Sequence, residues 1–86
     1  PETNHVFSMD AELLWFEQLF DELPHDRVIT IDIETATGQI DCVGFAWDEE
    51  TSFTLPYKDP RTPWREQLMD LRHRIIKKVC GGPHPK

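Results

Sequence analysis

The apolar positions change period along the chain, and each change marks an element. From about Asp10 to Leu23, the residues Leu13, Phe16, Leu19, Phe20 and Leu23 recur at helical spacing. This predicts an amphipathic helix with one apolar stripe and Trp15 at the stripe's edge. Ser8 or Asp10 is placed to cap it, and Pro24 ends it, because the residue before proline avoids helical angles. Over Val28–Thr35 apolar and polar residues alternate. This predicts a buried β-strand with Ile29, Ile31 and Ile33 on one face and Asp32 and Glu34 on the other. Ala36–Gln39 reads as a turn in which Gly38 supplies a positive φ. Ile40–Trp47 is a second strand, where Gly44 suggests close approach by a neighbour or a bulge. After the acidic turn Asp48-Glu49-Glu50, Ser52–Tyr57 is a third strand, with Pro56 at a sheet edge or at the strand's end. Turns this short favour antiparallel hairpins, hence a three-stranded meander. Lys58–Arg61 reads as a loop. Thr62 and Pro63 then open a second helix running to about Val79, with a stripe of Trp64, Leu68, Leu71, Ile75 and Val79. Gly81 can cap that helix and Pro83 prevents its continuation. The expected order is α-β-β-β-α.

At 86 residues the chain holds one small domain, residues 1–86, with a core of limited size. No stretch approaches the apolar length of a membrane span, and no secretory signal opens the chain. Cys42 and Cys80 show no zinc-ligand spacing and read as reduced thiols, so a cytoplasmic location is expected. The chain begins at Pro1 rather than Met, which suggests a processed or excised piece. The net charge of −7 is unevenly distributed. Up to Tyr57, Arg27 is the only Lys or Arg against 13 acids, whereas from Lys58 onward 8 bases face 3 acids. A basic last third could touch a polyanion; a solvated helix face, with Lys77 and Lys78 complementing the helix dipole, is the reading preferred here.

The chemistry concentrates at Asp32 and Glu34. Two residues apart on a strand, they project side by side, and two adjacent negative charges beside a core are unfavourable without a compensating charge. Hard oxygen donors held together suit Mg²⁺ or Mn²⁺, which points to metal-assisted chemistry, most often on phosphates. Solvated strand-end carboxylates are the structural alternative. Other chemistries fit poorly. The chain has no phosphate-binding loop of Walker type, no GxGxxG, no GxSxG and no (D/E)xK sequence. His5, His25, His73 and His84 are scattered, and His73 reads as a surface residue.

Asp32-Ile33-Glu34-Thr35-Ala36-Thr37-Gly38, then Val43-Gly44-Phe45-Ala46, then Phe53-Thr54-Leu55-Pro56-Tyr57, resembles the DEDD (DnaQ-like) 3′–5′ exonuclease superfamily. It looks most like the proofreading exonuclease domain of family A DNA polymerases. The resemblance covers roughly Arg27 to Cys80. It implies a ribonuclease H-like α/β fold and two-metal hydrolysis of phosphodiester bonds at single-stranded DNA 3′ ends. Asp32 would bridge both metal ions, Glu34 would bind one and help place the attacking water, and Thr35 would lie near the 3′-terminal nucleotide. Two ions roughly 4 Å apart, Mg²⁺ or Mn²⁺, can activate water and stabilise the leaving oxygen.

The family pattern also needs two further acids, in N-x-x-x-D and Y-x-x-x-D or H-x-x-x-D motifs, and neither motif occurs here. The sequence therefore reads as the N-terminal part of such a domain, a partial α-β-β-β-α unit, inactive alone. Missing its neighbour, the first strand would leave an apolar edge at Ile29, Ile31 and Ile33, covered by self-association or by the absent half of the domain. An RNA-directed exonuclease of the same fold, and a small acidic interaction module without catalysis, are the alternatives.

Overall fold

Aromatic side chains from distant parts of the chain meet on one face of a sheet, and the two helices pack over them. The computed structural model describes residues 2–57 and 65–86. The elements run β1 (Thr3–Val6), α1 (Asp10–Asp21), β2 (Thr30–Ala36), β3 (Gln39–Ala46), β4 (Thr51–Pro56) and α2 (Glu66–Gly81). The sheet order is β1-β4-β3-β2. β2, β3 and β4 form the expected antiparallel meander, and β1 pairs with β4 in parallel. Among the described residues this is a mixed α/β fold with four strands and two helices.

Strand alternation builds the core. Val43 and Phe45 of β3 pair with Leu55 and Phe53 of β4, and all four are buried. Phe7, just after β1, stacks on Phe16 of α1 with ring centroids 4.2 Å apart. Phe16 also meets Phe45 at 5.5 Å and Phe53 at 5.3 Å, so it sits at the centre of the aromatic cluster. From α1, Leu13, Phe16 and Phe20 are buried, and from α2, Leu68, Ile75 and Val79. Each such side chain contributes about 1.5–3 kcal/mol by leaving water. Trp15 stays exposed, as its position at the stripe's edge implies.

Several expectations are corrected. The order is β-α-β-β-β-α, because Thr3–Val6 forms a fourth strand. Its polar Thr3-Asn4-His5 gives no apolar alternation, and backbone pairing holds it. Phe7 N–H donates to Thr54 O at 3.0 Å, and the Asn4 side-chain oxygen accepts from the Ser52 and Thr54 hydroxyls. β1 makes β4 an inner strand, and Pro56 marks its end, past the last β1 partner. β2 is not buried. It is the edge strand, as the apolar edge expected above implies, with Ile31 partly buried, Ile33 54% exposed and only Ile29, just before it, fully buried. The irregularity in β3 falls at Asp41, which has no partner between the pairs Glu34↔Cys42 and Thr35↔Ile40. Gly44 is regular, and a Cβ there would make only ordinary contacts of 3.7 Å or more.

The helix ends also differ slightly. α1 stops at Asp21, and Met9 occupies its N-cap position. The Glu12 carboxylate accepts from the backbone N–H groups of Ser8 and Met9, which satisfies donors that the helix start leaves open. α2 includes Gly81, and Gly82 follows in extended conformation. The expected loop at Lys58–Arg61, the Thr62-Pro63 cap and Trp64 lie outside the described residues. On α2, Arg72 is buried beside the apolar stripe, its guanidinium 4.6 Å from the centre of the Tyr57 ring. Burial pulls the Arg72 guanidinium pKa down and pushes the Tyr57 phenol up.

Ion pairs fix α2 along α1. Glu17 accepts from Arg74 at 2.6 and 3.0 Å and from Lys78 at 2.9 Å; Asp21 also meets Lys78, and Asp10 meets Arg65. The Arg74 hydrogen bonds hold the Glu17 carboxyl below its ordinary range, with burial opposing them and Lys78 assisting. The hairpin between β2 and β3 is closed by Thr37 and Gly38, with φ of 53° and 79°. This is the pattern of a two-residue hairpin turn, natural for Gly38 but strained for a β-branched residue.

Two outcomes follow. Thr37→Asn should raise stability by about 1 kcal/mol, since Asn tolerates left-handed angles that cost other residues about 1–2 kcal/mol; urea denaturation checks this. Glu17→Gln should destabilise the protein at pH 7. A depressed folded pKa gives stability that is present above the unfolded carboxyl range and lost as pH falls through the folded value. The gap between wild type and Glu17→Gln should therefore close on acidification below about pH 4, read from denaturation midpoints across pH.

Candidate functional site

The strand alternation that sends Ile31 towards the helices sends Thr30, Asp32 and Glu34 to the opposite face of β2. The β3 residues opposite them are Ala46, Gly44 and Cys42. Ser52 and Thr54 of β4 continue the same face. Among the described residues no helix covers this face. Its small side chains leave a shallow depression of about 200 Å³, lined by Asp32, Glu34, Cys42, Gly44, Ser52 and Thr54 among others. Gly44 faces Asp32 across the strands and supplies the floor.

Asp32 and Glu34 are exposed side chains on this rim, brought together as the sequence predicts. Among the described residues neither makes an ion pair with a basic side chain. The Cys42 thiol lies 3.8 Å from a Glu34 carboxylate oxygen and donates to it. Burial pushes the Cys42 thiol above its ordinary pKa, with Glu34, Asp41 and Asp32 adding to the effect. The thiol is therefore held protonated as the donor. Sequence reasoning placed Cys42 on the second strand without linking it to the site; the cross-strand register Glu34↔Cys42 supplies that link.

Thr35 does not join the depression. It follows Glu34 at the register shift, and alternation assigns it to the other face of β2. His73 is exposed on α2, in line with a surface role. Tyr57, just past β4, packs against Arg72 and Met69 on the helix side.

The donors fit a hard divalent ion in kind, being adjacent, solvent-facing carboxylates with no cation beside them among the described residues. They fit in part only by number. Among the described residues no set of three or more His, Cys, Asp or Glu side chains is placed to hold a metal ion. Among the described residues, also, no helix is long and apolar enough to cross a membrane. Comparison with protein-family models, curated proteins and solved structures finds no match.

Two unneutralised carboxylates side by side repel one another. The double variant Asp32→Asn, Glu34→Gln should therefore fold with unchanged stability or gain up to about 1 kcal/mol. Thermal and urea unfolding at low salt check this, and a clear loss of stability would assign the pair a structural role.

Proposed function

We propose that this chain is the N-terminal part of a two-metal 3′–5′ exonuclease domain of the proofreading DNA polymerase type, with a ribonuclease H-like fold. The observation that carries the reading is the Asp32–Glu34 pair, exposed on an uncovered sheet face beside Gly44 and without a basic partner among the described residues. Two exposed like charges side by side repel modestly, and a cation joining them would remove that repulsion. Mg²⁺ or Mn²⁺ bound there would activate water and stabilise a leaving oxygen. Asp32 and Glu34 would hold the ions and orient the nucleophile's side of the site. Cys42 keeps the second Glu34 oxygen engaged, which limits that carboxylate's rotation.

The place of β2 supports the same reading. Among the described residues its outer edge carries unpaired backbone groups, flanked by the exposed Val28 and Ile33. A further strand pairing there would cover these side chains and lie directly beside Asp32 and Glu34. The rest of the domain would deliver its own acidic residues by that route, and a second copy of the chain is the other candidate for that edge. DNA is the substrate proposed by resemblance; RNA remains the alternative, because 2′-hydroxyl recognition has no counterpart among these residues. The exposure of Leu14 and Trp15 on α1 favours a second reading, a protein-binding module without catalysis.

Metal binding is the better readout than hydrolysis, since the chain carries half of the acidic residues that the resemblance requires. In an NMR titration with Mn²⁺, amides of Asp32, Glu34 and the turn after them should broaden first, and Asp32→Asn, Glu34→Gln should abolish that selectivity. Diffuse broadening over Asp48-Glu49-Glu50 and the other exposed acids would overturn the exonuclease reading and favour the binding module.

A further inference from the structure

A second stripe runs along α2 beside the one that enters the core. Met69, Arg72, His73 and Ile76 recur three and four residues apart, so they share one face of the helix. Ile40, near the start of β3, and Tyr57, just past β4, complete a wall with them. The Tyr57 N–H donates to the Asp41 carbonyl at 2.9 Å, which ties those two strand ends together. The six residues enclose a cavity of about 410 Å³, a size typical of small-molecule sites. It shares no residue with the depression at Asp32 and Glu34.

The charge in this wall has no counterpart. Arg72 is 7% exposed, and no other Lys, Arg, Asp or Glu among the described residues is buried. Its guanidinium touches two further wall residues, the Tyr57 ring at 4.6 Å from the centre and the Met69 sulfur at 3.7 Å, so the charged end itself lies at the cavity. An arginine carries five N–H donors. Among the described residues Arg72 has one hydrogen-bond partner, the Met69 sulfur, which is a weak acceptor. Its Nε is fully buried without a partner, whereas Nη2, equally without one, keeps access to solvent. The more exposed Arg27, Arg65 and Arg74 each reach an oxygen. The arginine most removed from water is therefore the one without an oxygen acceptor. The face of the Tyr57 ring offsets part of the cost, but a cation–π contact is weaker than the penalty for burying an unpaired charge.

We infer that this cavity binds an organic monocarboxylate with an apolar body, its carboxylate on the Arg72 guanidinium and its body against Ile40, Met69 and Ile76. The wall selects this class. A guanidinium is planar and its charge delocalised, so a carboxylate accepting at the terminal nitrogens neutralises the whole group, Nε included. One positive charge balances a monoanion and leaves a phosphate dianion half neutralised. The remaining wall is apolar or aromatic apart from His73 at the exposed rim, so binding an apolar body removes that surface from water, which a small hydrophilic anion does not. The exonuclease reading uses none of these residues.

The test is an NMR titration of the whole chain with sodium octanoate, with octanamide as the uncharged counterpart. Octanoate should shift the amides of Ile40, Tyr57, Met69 and Ile76 and the Nε–H of Arg72 together, in one saturable event. Octanamide should bind at least about tenfold more weakly, because a hydrogen bond between charged groups is lost. Arg72→Met removes the cation and keeps an apolar side chain, a replacement of a buried ion that folds tolerate. It should lower octanoate affinity to that of octanamide. Ile40→Glu, at a wall position 39% exposed, sets a rival carboxylate at the cavity and should weaken octanoate by at least about tenfold. Asp32→Asn, Glu34→Gln should bind octanoate as wild type does, which separates this inference from the exonuclease reading. Equal affinities for octanoate and octanamide, wild-type octanoate affinity in Arg72→Met, or sodium phosphate shifting these resonances where octanoate does not would each refute it.

Discussion

The fold rests on one asymmetry: a small sheet that, among the described residues, has helices for only one of its faces. Phe16 of α1 is the centre of that arrangement. It touches Phe7 from the first strand's end, Phe45 from β3 and Phe53 from β4, so one side chain joins the helix to three parts of the sheet. Eighty-six residues bury too little surface to build two such layers. The apolar residues are spent on one face, and the other is left with Thr, Ser, Asn, Gly and carboxylates. The ion pairs from Glu17 to Arg74 and Lys78 then set how α2 lies against α1, outside the apolar seam.

The candidate site follows from this asymmetry. Asp32 and Glu34 can stand side by side because the face they occupy is solvated rather than packed. The edge position of β2 has the same origin, since β3 gives β2 one neighbour and nothing among the described residues gives it another. Charge, small side chains and an open backbone edge coincide at a single corner of the sheet. A corner of this kind adds little to stability and leaves its carboxylates and backbone groups open to solvent.

Much of this was legible in the sequence. The alternation over Val28–Thr35 and the Thr37-Gly38 turn specified the β2–β3 hairpin, and the stripe Leu13, Phe16, Phe20 specified the buried side of α1. The pairing of Asp32 with Glu34 needed nothing beyond a strand's two-residue repeat. What stayed hidden depended on tertiary contacts. Thr3–Val6 has a polar composition and becomes a strand only because β4 offers it an edge. The exposure of Ile33 depends on sheet order, which an apolar repeat does not encode. Cys42 joins Glu34 through a register set by the extra residue Asp41. His84 looked like one of four scattered histidines until the fold buried it.

The parallel pairing of β1 with β4 also carries a consequence for the order in which the structure assembles. The meander of β2, β3 and β4 closes through short turns, whereas Asn4 reaches Ser52 across a separation of 48 residues. The chain entropy of that long closure must be spent before β1 gains any contact. β1 is therefore expected to dock after the meander and to detach before it. When it leaves, the Phe7–Phe16 stack opens with it, at the sheet edge opposite β2. That opening lies at the sheet edge farthest from Asp32 and Glu34.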